Sequence, residues 1–121
     1  MSTLSVSNIT DGTDTVATGY VVNGSAKAWV YGSNAAAIYS SMNVSGSTDH
    51  GTGDFTYGLT AAMVTVQYSQ QASVATGSKD RIAQRNSSRD AAGVMAVATS
   101  NARTNTAVDH SHAGLIVGDL A

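Results

Sequence analysis

A period-two alternation of apolar and polar residues is the main pattern along this chain. It is clearest at residues 26–31, where Ala28 and Val30 alternate with Trp29 and Tyr31. This period is typical of half-buried β-strands. The same signal predicts strands at residues 4–9 and 36–44. We also predict extended structure at residues 15–22 and strands at residues 55–59, 94–99 and 62–68, the last of which is rich in β-branched residues, with one or two more within residues 106–117.

Segments rich in glycine, asparagine and aspartate separate these strands. We predict turns at residues 11–14, 23–24 and 48–54, and we expect the polar residues 70–77 to be partly looped. Closely spaced short strands with such turns favour an all-β fold, either an antiparallel β-sandwich or a small barrel.

The Asn23-Gly24 turn marks a division of the chain. We expect residues 1–24 to form an attachment segment or extended N-terminal arm, with an ordinary first hairpin of the domain as the alternative. Residues 25–121 are then expected to form one β-sandwich-like fibre or tip domain, because 121 residues suit a single domain.

Residues 78–90 form the only densely charged stretch. They hold four of the six basic residues of the chain, namely Lys79, Arg81, Arg85 and Arg89. The spacing would align the three arginines on one face of a helix, although the Asn-Ser-Ser run at residues 86–88 weakens helix propensity. A helical turn and a long loop are both compatible with this stretch.

Large apolar side chains are scarce. Leu, Ile, Val and Phe together make up 22 of the 121 residues, whereas alanine alone contributes 19. Small side chains bury few methylene groups against the entropy of ordering the backbone. We therefore expect help from identical copies of the chain, most simply a homotrimer.

Composition and charge argue against several classes of protein. The net charge is −2, which lacks the basic footprint of a nucleic-acid-binding protein. No apolar run approaches the roughly 18 residues of a membrane span, so we expect no membrane insertion. The start of the chain lacks the features of a secretory signal. Because the chain has no cysteine, the sequence does not indicate whether it works in an oxidising or a reducing compartment.

No catalytic constellation stands out. The segments Asp49-His50 and Asp109-His110-Ser111-His112 supply suitable residue types, but no G-x-S-x-G nucleophile motif is present. Asp49 and Asp54 flank a turn and are expected to bond to local backbone amides. We therefore expect a protein without enzymatic activity and without a cofactor.

His110 and His112 allow one metal hypothesis. On a strand, residues two apart share a face, so three copies around a threefold axis would offer six imidazole groups to one octahedral metal ion. The alternative is a solvent-facing polar turn that leads into a strand at residues 114–117.

Two other groups of side chains are candidates for contact with a receptor. The arginines could bind phosphate or carboxylate groups on a cell surface, or could be a solvated face balanced by Asp80 and Asp90. Aromatic residues could stack on sugars wherever they face outward, although core and subunit-interface positions are the commoner alternative. The loop candidates for receptor binding are Asp49, His50, Asp54, Lys79, Arg81, Arg85 and Arg89.

Three segments in the first half of the chain resemble a family module. They are GSAKAWV at residues 24–30, MNVS at residues 42–45 and TDHGTGDFT at residues 48–56, and they follow an opening MSTLSVSNI. This order is similar to that of bacteriophage short tail fibre and tail fibre-like proteins, over about residues 1–66. The resemblance fades beyond that point and leaves the arginine stretch and the histidine pair unsupported.

The resemblance implies a non-enzymatic virion structural protein, a short tail fibre or fibre tip that adsorbs to host cells through multivalent surface contacts. Its partners would be identical copies, other virion proteins and a host surface glycan or protein, and its location would be the virus particle. The alternatives are a capsid decoration or head fibre protein, and a carbohydrate-binding module outside any virus.

Overall fold

The computed structural model describes residues 1–75 and 79–121, and it is rich in antiparallel β-structure. The strands are β1 (Asn8–Thr10), β2 (Thr15–Ala17), β3 (Ala26–Gly32), β4 (Ile38–Met42), β5 (Val44–Gly51), β6 (Asp54–Leu59), β7 (Ser69–Val74), β8 (Arg81–Arg85), β9 (Val94–Asn101), β10 (Thr106–Ala107) and β11 (His112–Val117). One short α-helix, α1 (Thr18–Gly24), and one 3-10 turn (Ser87–Arg89) complete the described elements.

Nine of these strands form two sheets. The four-stranded sheet has the order β4-β3-β11-β7. In the five-stranded sheet β5, β6 and β9 follow one another, and β8 and β10 both pair with β9. Because β6 and β8 both pair with Val97 and Ala98, they occupy opposite edges of β9. The remaining pair, β1 and β2, is a separate hairpin.

The core lies between the two sheets, so the domain is an antiparallel β-sandwich. Both sheets contribute buried side chains, which are Ala28, Val30 and Ile116 from the four-stranded sheet and Phe55, Tyr57, Met95 and Val97 from the other. Met63, Tyr68 and Ala36, which lie outside the strands, belong to the same buried cluster. The all-β prediction is thus confirmed, and the sandwich buries this interior within one chain.

Two glycines let the sheets approach each other closely. A Cβ atom at Gly114 would lie 2.5 Å from the sulfur of Met95, and one at Gly32 would overlap the hydroxyl of Tyr57. Both glycines point towards the opposite sheet, where a side chain has no room. A core of modest side chains can therefore still be tightly packed.

The alternation at residues 26–31 is confirmed, since Ala28 and Val30 are buried in β3 whereas Tyr31 is exposed. The predicted strands at 55–59 and 94–99 correspond to β6 and β9. The stretch from 106 to 117 holds two strands, as expected.

The single strand predicted at residues 36–44 is wrong, because Asn43 divides it. Asn43 has a φ of 58° and carries the chain from β4 in one sheet to β5 in the other. Its side-chain amide donates to the carbonyl oxygens of Lys27 and Ala61 and accepts from the Ala61 amide. These bonds hold a left-handed residue that alternation alone does not reveal.

The turn predicted at residues 48–54 is shorter than expected. Thr48, Asp49 and Gly51 continue the edge strand β5 by pairing with β6, and only residues 52–53 lie between the two strands. Residues 62–68, predicted as a strand, instead cross from β6 to the other sheet with one bridge between Met63 and Leu120. Of residues 70–77, expected to be partly looped, residues 70–74 belong to β7 (Ser69–Val74), which pairs with β11 along its whole length.

The charged stretch, expected to be a helical turn or a long loop, is mainly a strand in its described part, with a short 3-10 turn at Ser87–Arg89. Residues 81–85 form β8, which pairs with β9 over its full length, and Ala83 packs against the core. Strand pairing has overridden the helical spacing of the arginines. Ser78, with residues 76–77 of the expected loop, lies outside the described residues.

Residues 1–25 differ from the sandwich because none of them is buried. The turn at residues 11–14 joins β1 to β2 as predicted. Residues 18–22, expected to be extended, instead form α1 together with residues 23–24, where a turn was expected. The segment exposes several large apolar side chains, namely Leu4, Val6, Ile9, Val16, Tyr20, Val21 and Val22. Among the described residues, no helix has both the length and the apolar character needed to cross a membrane.

Candidate functional site

The outer face of the four-stranded sheet carries two rows of side chains. One row runs Met42, Trp29, Leu115 and Gln71 across β4, β3, β11 and β7, and the other runs Ser40, Tyr31, Ala113 and Ser73. Paired residues of antiparallel strands share a face, and these alternate with the buried residues of β3 and β11. We call this surface the aromatic face, defined by Trp29, Tyr31, Tyr39, Met42 and Leu115.

Two tyrosines dominate the aromatic face. Tyr39 is 63% exposed and Tyr31 is 41% exposed. Their ring centroids lie 5.3 Å apart and the ring planes are tilted by 43°. The irregularity in register between β3 and β4 lies beside them, because Tyr31 pairs with Ser40 and Gly32 pairs with Ile38, so Tyr39 has no paired residue. Two aromatic rings are thereby brought together at an accessible sheet surface.

A shallow groove of about 500 Å³ lies beside Tyr31 on this face. Trp29 and Leu115 line one part of it, and the small residues Ala113 and Ser73 line another. Gln71 is the longest polar side chain along the groove. Small residues between large ones leave a concave surface with both apolar and hydrogen-bonding groups, which is the usual make-up of a small-molecule site.

The predicted receptor candidates on β5 and β6 lie on the other sheet. Asp54 accepts hydrogen bonds from Arg89 Nε at 2.7 and 2.8 Å and from Asn86 Nδ2 at 2.9 Å. Its ion pair with Arg89 Nη2 measures 2.7 Å, and the Arg89 guanidinium lowers the pKa of Asp54. His50 Nε2 lies 2.8 Å from Thr56 Oγ1, and Asp49 accepts from the Gly51 amide at 2.9 Å.

The arginines do not share one face. Arg85 binds Asp90 and donates to the carbonyl oxygens of Val66 and Tyr68, with its guanidinium 4.5 Å from the centre of the Tyr68 ring. Arg89 turns instead to Asp54, which alternates with the buried Phe55 and so belongs to the outer face of β6. Arg81 lies in β8 close enough to His110 to influence its pKa, and Lys79 is exposed in the turn before β8. Arg85 and Arg89 therefore cross-link the chain to itself.

The two histidines are buried inside the sandwich. His112 is fully buried, its Nδ1 donates to the carbonyl oxygen of His110 at 2.7 Å, and its Nε2 accepts from the Tyr57 hydroxyl at 2.7 Å. Burial lowers the pKa of both histidines and raises the pKa of Tyr57 to about 12. Both ring nitrogens of His112 are thus engaged within one chain, and the polar turn considered for these residues is replaced by buried positions.

A metal ion on the histidine pair would have to displace these bonds. His110 Nε2 is buried without a hydrogen-bond partner in the described residues, but His112 has no imidazole nitrogen left to offer. Within the described parts of the chain, no group of three or more His, Cys, Asp or Glu side chains is placed to hold a metal ion. This geometry does not support the octahedral arrangement on a threefold axis.

The aromatic face corresponds to the aromatic candidates of the sequence, for which it was open which side chains face outward. The signal was present at residues 26–31, because Trp29 and Tyr31 alternate with small side chains that suit a core. Alternation separates two faces but does not say which one meets solvent. Gln71 and Ser73 carried no signal, since they were assigned to a loop.

Comparisons of this chain with models of protein families, with curated proteins and with solved structures find no match.

Proposed function

We propose that this chain is a non-enzymatic structural protein of a bacteriophage virion, a short tail fibre or fibre tip that takes part in host adsorption. The observation that carries the proposal is the aromatic face, which places Tyr31, Tyr39 and Trp29 beside polar groups on a rigid sheet. Aromatic side chains with a polar edge are suited to repeated weak contacts with a cell surface. The motifs in residues 24–56 supply the resemblance to tail fibre proteins.

The mechanism would be multivalent. A homotrimer would present three aromatic faces at once, and linkage raises the effective concentration of each face after the first has bound. A single low-affinity face would then suffice to hold a particle on a cell. Host surface glycans are the partners that fit this mode of binding.

Residues 1–25 suit attachment to other copies and to neighbouring virion proteins. Their apolar side chains, such as Leu4, Tyr20 and Val22, are exposed although the sandwich has its own core. Apolar surface of this kind commonly marks a protein–protein contact. The trimer contact is therefore placed by this proposal at the N-terminal segment rather than inside the sandwich.

Antibodies against the purified chain, applied to intact particles of the source virus and viewed by electron microscopy, test the proposal. Label confined to the tail, at a few multiples of three copies, with Fab fragments that block adsorption, is the expected result. Label spread over the head would mean a decoration or head fibre protein. Absence of label from every particle would rule out a virion component.

A further inference from the structure

We infer that the aromatic face binds an uncharged saccharide, with a pyranose ring stacked on Tyr31 and Tyr39, an inference that rests on the proposed adsorption function. A pyranose ring has one face made largely of C–H groups and a rim of hydroxyl groups. A ligand of this kind needs an exposed aromatic surface, neutral hydrogen-bonding groups at its edge and a shallow groove.

The tyrosine pair provides the stacking surface. The two rings are the exposed large aromatics of the sandwich, with centroids 5.3 Å apart and a tilt of 43°. The two rings are therefore tilted against each other and are not stacked face to face. An aromatic ring packs well against the C–H groups of an apolar partner and leaves its own hydroxyl at the wet edge.

The groove provides room for the rest of the ring. Its volume of about 500 Å³ falls within the roughly 300–1,000 Å³ of small-molecule sites. Ala113 and Ser73 keep it open, because their side chains are short, and Trp29 and Leu115 form a further apolar surface. A sugar on the tyrosines would therefore extend over the sheet towards β7.

Neutral hydrogen-bonding groups lie along this path. Gln71 and Ser73 line the groove, and Ser40 pairs with Tyr31 on the same face. In the described part of the chain, none of these three side chains forms a hydrogen bond with another protein group. An amide offers two donors and an acceptor, and each hydroxyl offers both roles, which matches adjacent hydroxyl groups of a sugar.

The distribution of charge selects an uncharged ligand. Among the residues that the structure describes, none that lines the groove is charged. Lys27 shares this face of β3, but its ammonium group donates to the carbonyl oxygens of Val22 and Ser25 and to the Ser25 hydroxyl. Arg85 and Arg89 are paired with Asp90 and Asp54. A sulfated, phosphorylated or carboxylated sugar would lose water at the groove without gaining a cation.

Binding can be measured with defined probes by saturation-transfer NMR and by chemical-shift mapping on the full chain. The probes are methyl glycosides of galactose, glucose and mannose, with galacturonic acid and glucose 6-phosphate as charged counterparts. We expect at least one neutral glycoside to bind at the aromatic face, both charged probes to bind more weakly, and the affinity to stay constant between low and high salt. Tighter binding of a charged probe, with an affinity that falls as salt rises, would overturn the inference.

The variant Tyr31→Ala/Tyr39→Ala should weaken binding about tenfold or more, as the loss of two stacking contacts implies. Ile82→Ala is the control, because Ile82 is an exposed large side chain of β8 in the other sheet and should leave binding unchanged. A second variant, Ala113→Leu, keeps both tyrosines but fills the groove, and should also weaken binding. Thermal melting checks that each variant is folded.

Other outcomes separate this inference from the proposed function. Tail labelling without binding of any neutral glycoside would remove the inference and leave the adsorption role standing. Sugar binding that survives loss of both tyrosines would also remove it. A drop in the assembled mass of Tyr31→Ala/Tyr39→Ala, together with no sugar binding by the unaltered chain, would mean that a second copy covers this face. Binding that depends on the tyrosines, without any label on particles, would sustain the inference and remove the virion role.

Discussion

Residues 1–25 and the sandwich differ in the burial of their apolar side chains. The sandwich buries Phe55, Tyr57 and Met95 completely between its sheets, whereas the N-terminal segment buries no residue and exposes Leu4 and Tyr20. The difference shows that a chain with few large apolar residues can still close a core, provided that they are concentrated between two sheets. What remains apolar and exposed in the N-terminal segment is then available for contacts outside this chain.

The largest expected effect comes from a substitution that disrupts the packing between the two sheets of the sandwich. Gly32→Ala would drive a methyl group into the Tyr57 hydroxyl, which is hydrogen-bonded to His112. We expect the free energy of unfolding to fall by about 2–3 kcal/mol and the melting temperature by roughly 10 °C.

The control for Gly32→Ala is Gly19→Ala in α1, where a Cβ atom would meet nothing within 4 Å. Its melting temperature should match that of the unaltered chain. Equal melting of both variants would show that the sheets are not held as closely as this contact requires.

Acid should weaken the sandwich next. Burial lowers the pKa of His110 and His112, and nearby Arg81 lowers that of His110 further while Asp109 opposes it. Below the ordinary histidine pKa of about 6.5, the unfolded chain binds more protons than the folded chain. The free energy of unfolding therefore decreases as the pH is lowered.

Urea unfolding followed between pH 7.5 and pH 5 measures this dependence. Stability should be greatest above about pH 6.5 and should decline below it. His110→Gln should make the decline shallower, since one of the two groups no longer titrates. A stability that is constant or that rises towards pH 5 would contradict the buried neutral histidines.

The ion pairs should differ among themselves. Arg85→Met removes bonds to Asp90 and to two carbonyl oxygens, and we expect a loss of about 1–2 kcal/mol after allowance for partial exposure. Arg103→Met removes only a 3.3 Å contact between exposed side chains, and the change should stay within about 0.5 kcal/mol. Chemical denaturation of both variants compares them, and equal losses would argue against a cross-linking role for Arg85.

The smallest expected effect concerns the N-terminal segment. Removal of residues 1–25 takes away no buried residue, so the free energy of unfolding of the sandwich should change by less than about 0.5 kcal/mol. Light scattering on the same sample should show the loss of the proposed trimer. A shortened chain that no longer folds would mean that the two regions depend on each other.

Several elements could be predicted from local sequence. The strand at residues 26–31 is predictable because Ala28 and Val30 alternate with the larger side chains of Trp29 and Tyr31, and the predicted strands at 55–59 and 94–99 match β6 and β9. The failures lie where pairing with distant residues decides. Ser69–Val74 becomes a strand because β11 pairs with it, and residues 81–85 become one because β9 does.

The candidate site also depends partly on local sequence and partly on contacts between distant residues. Sequence motifs drew attention to Asp54, Arg85 and Arg89, whose charges are rare and conspicuous in this chain. Tertiary structure pairs Arg85 with Asp90 and Arg89 with Asp54. It leaves Tyr31 and Tyr39 exposed on a sheet whose far strand, β7, was not predicted. The sequence identifies a charged side chain, but only the fold decides which residue forms an ion pair with it.

By itself, the sequence determined the all-β class, because period-two alternation is a local property of neighbouring residues. It also determined the scarcity of charge, because charge follows directly from composition. The tertiary structure alone decided which face of each strand is buried and where Asn43 carries the chain from one sheet to the other. It also decided the close contacts of Gly32 and Gly114. The physical reason is that burial and register depend on strands far apart in the chain, which the hydrophobic pattern of one segment does not encode.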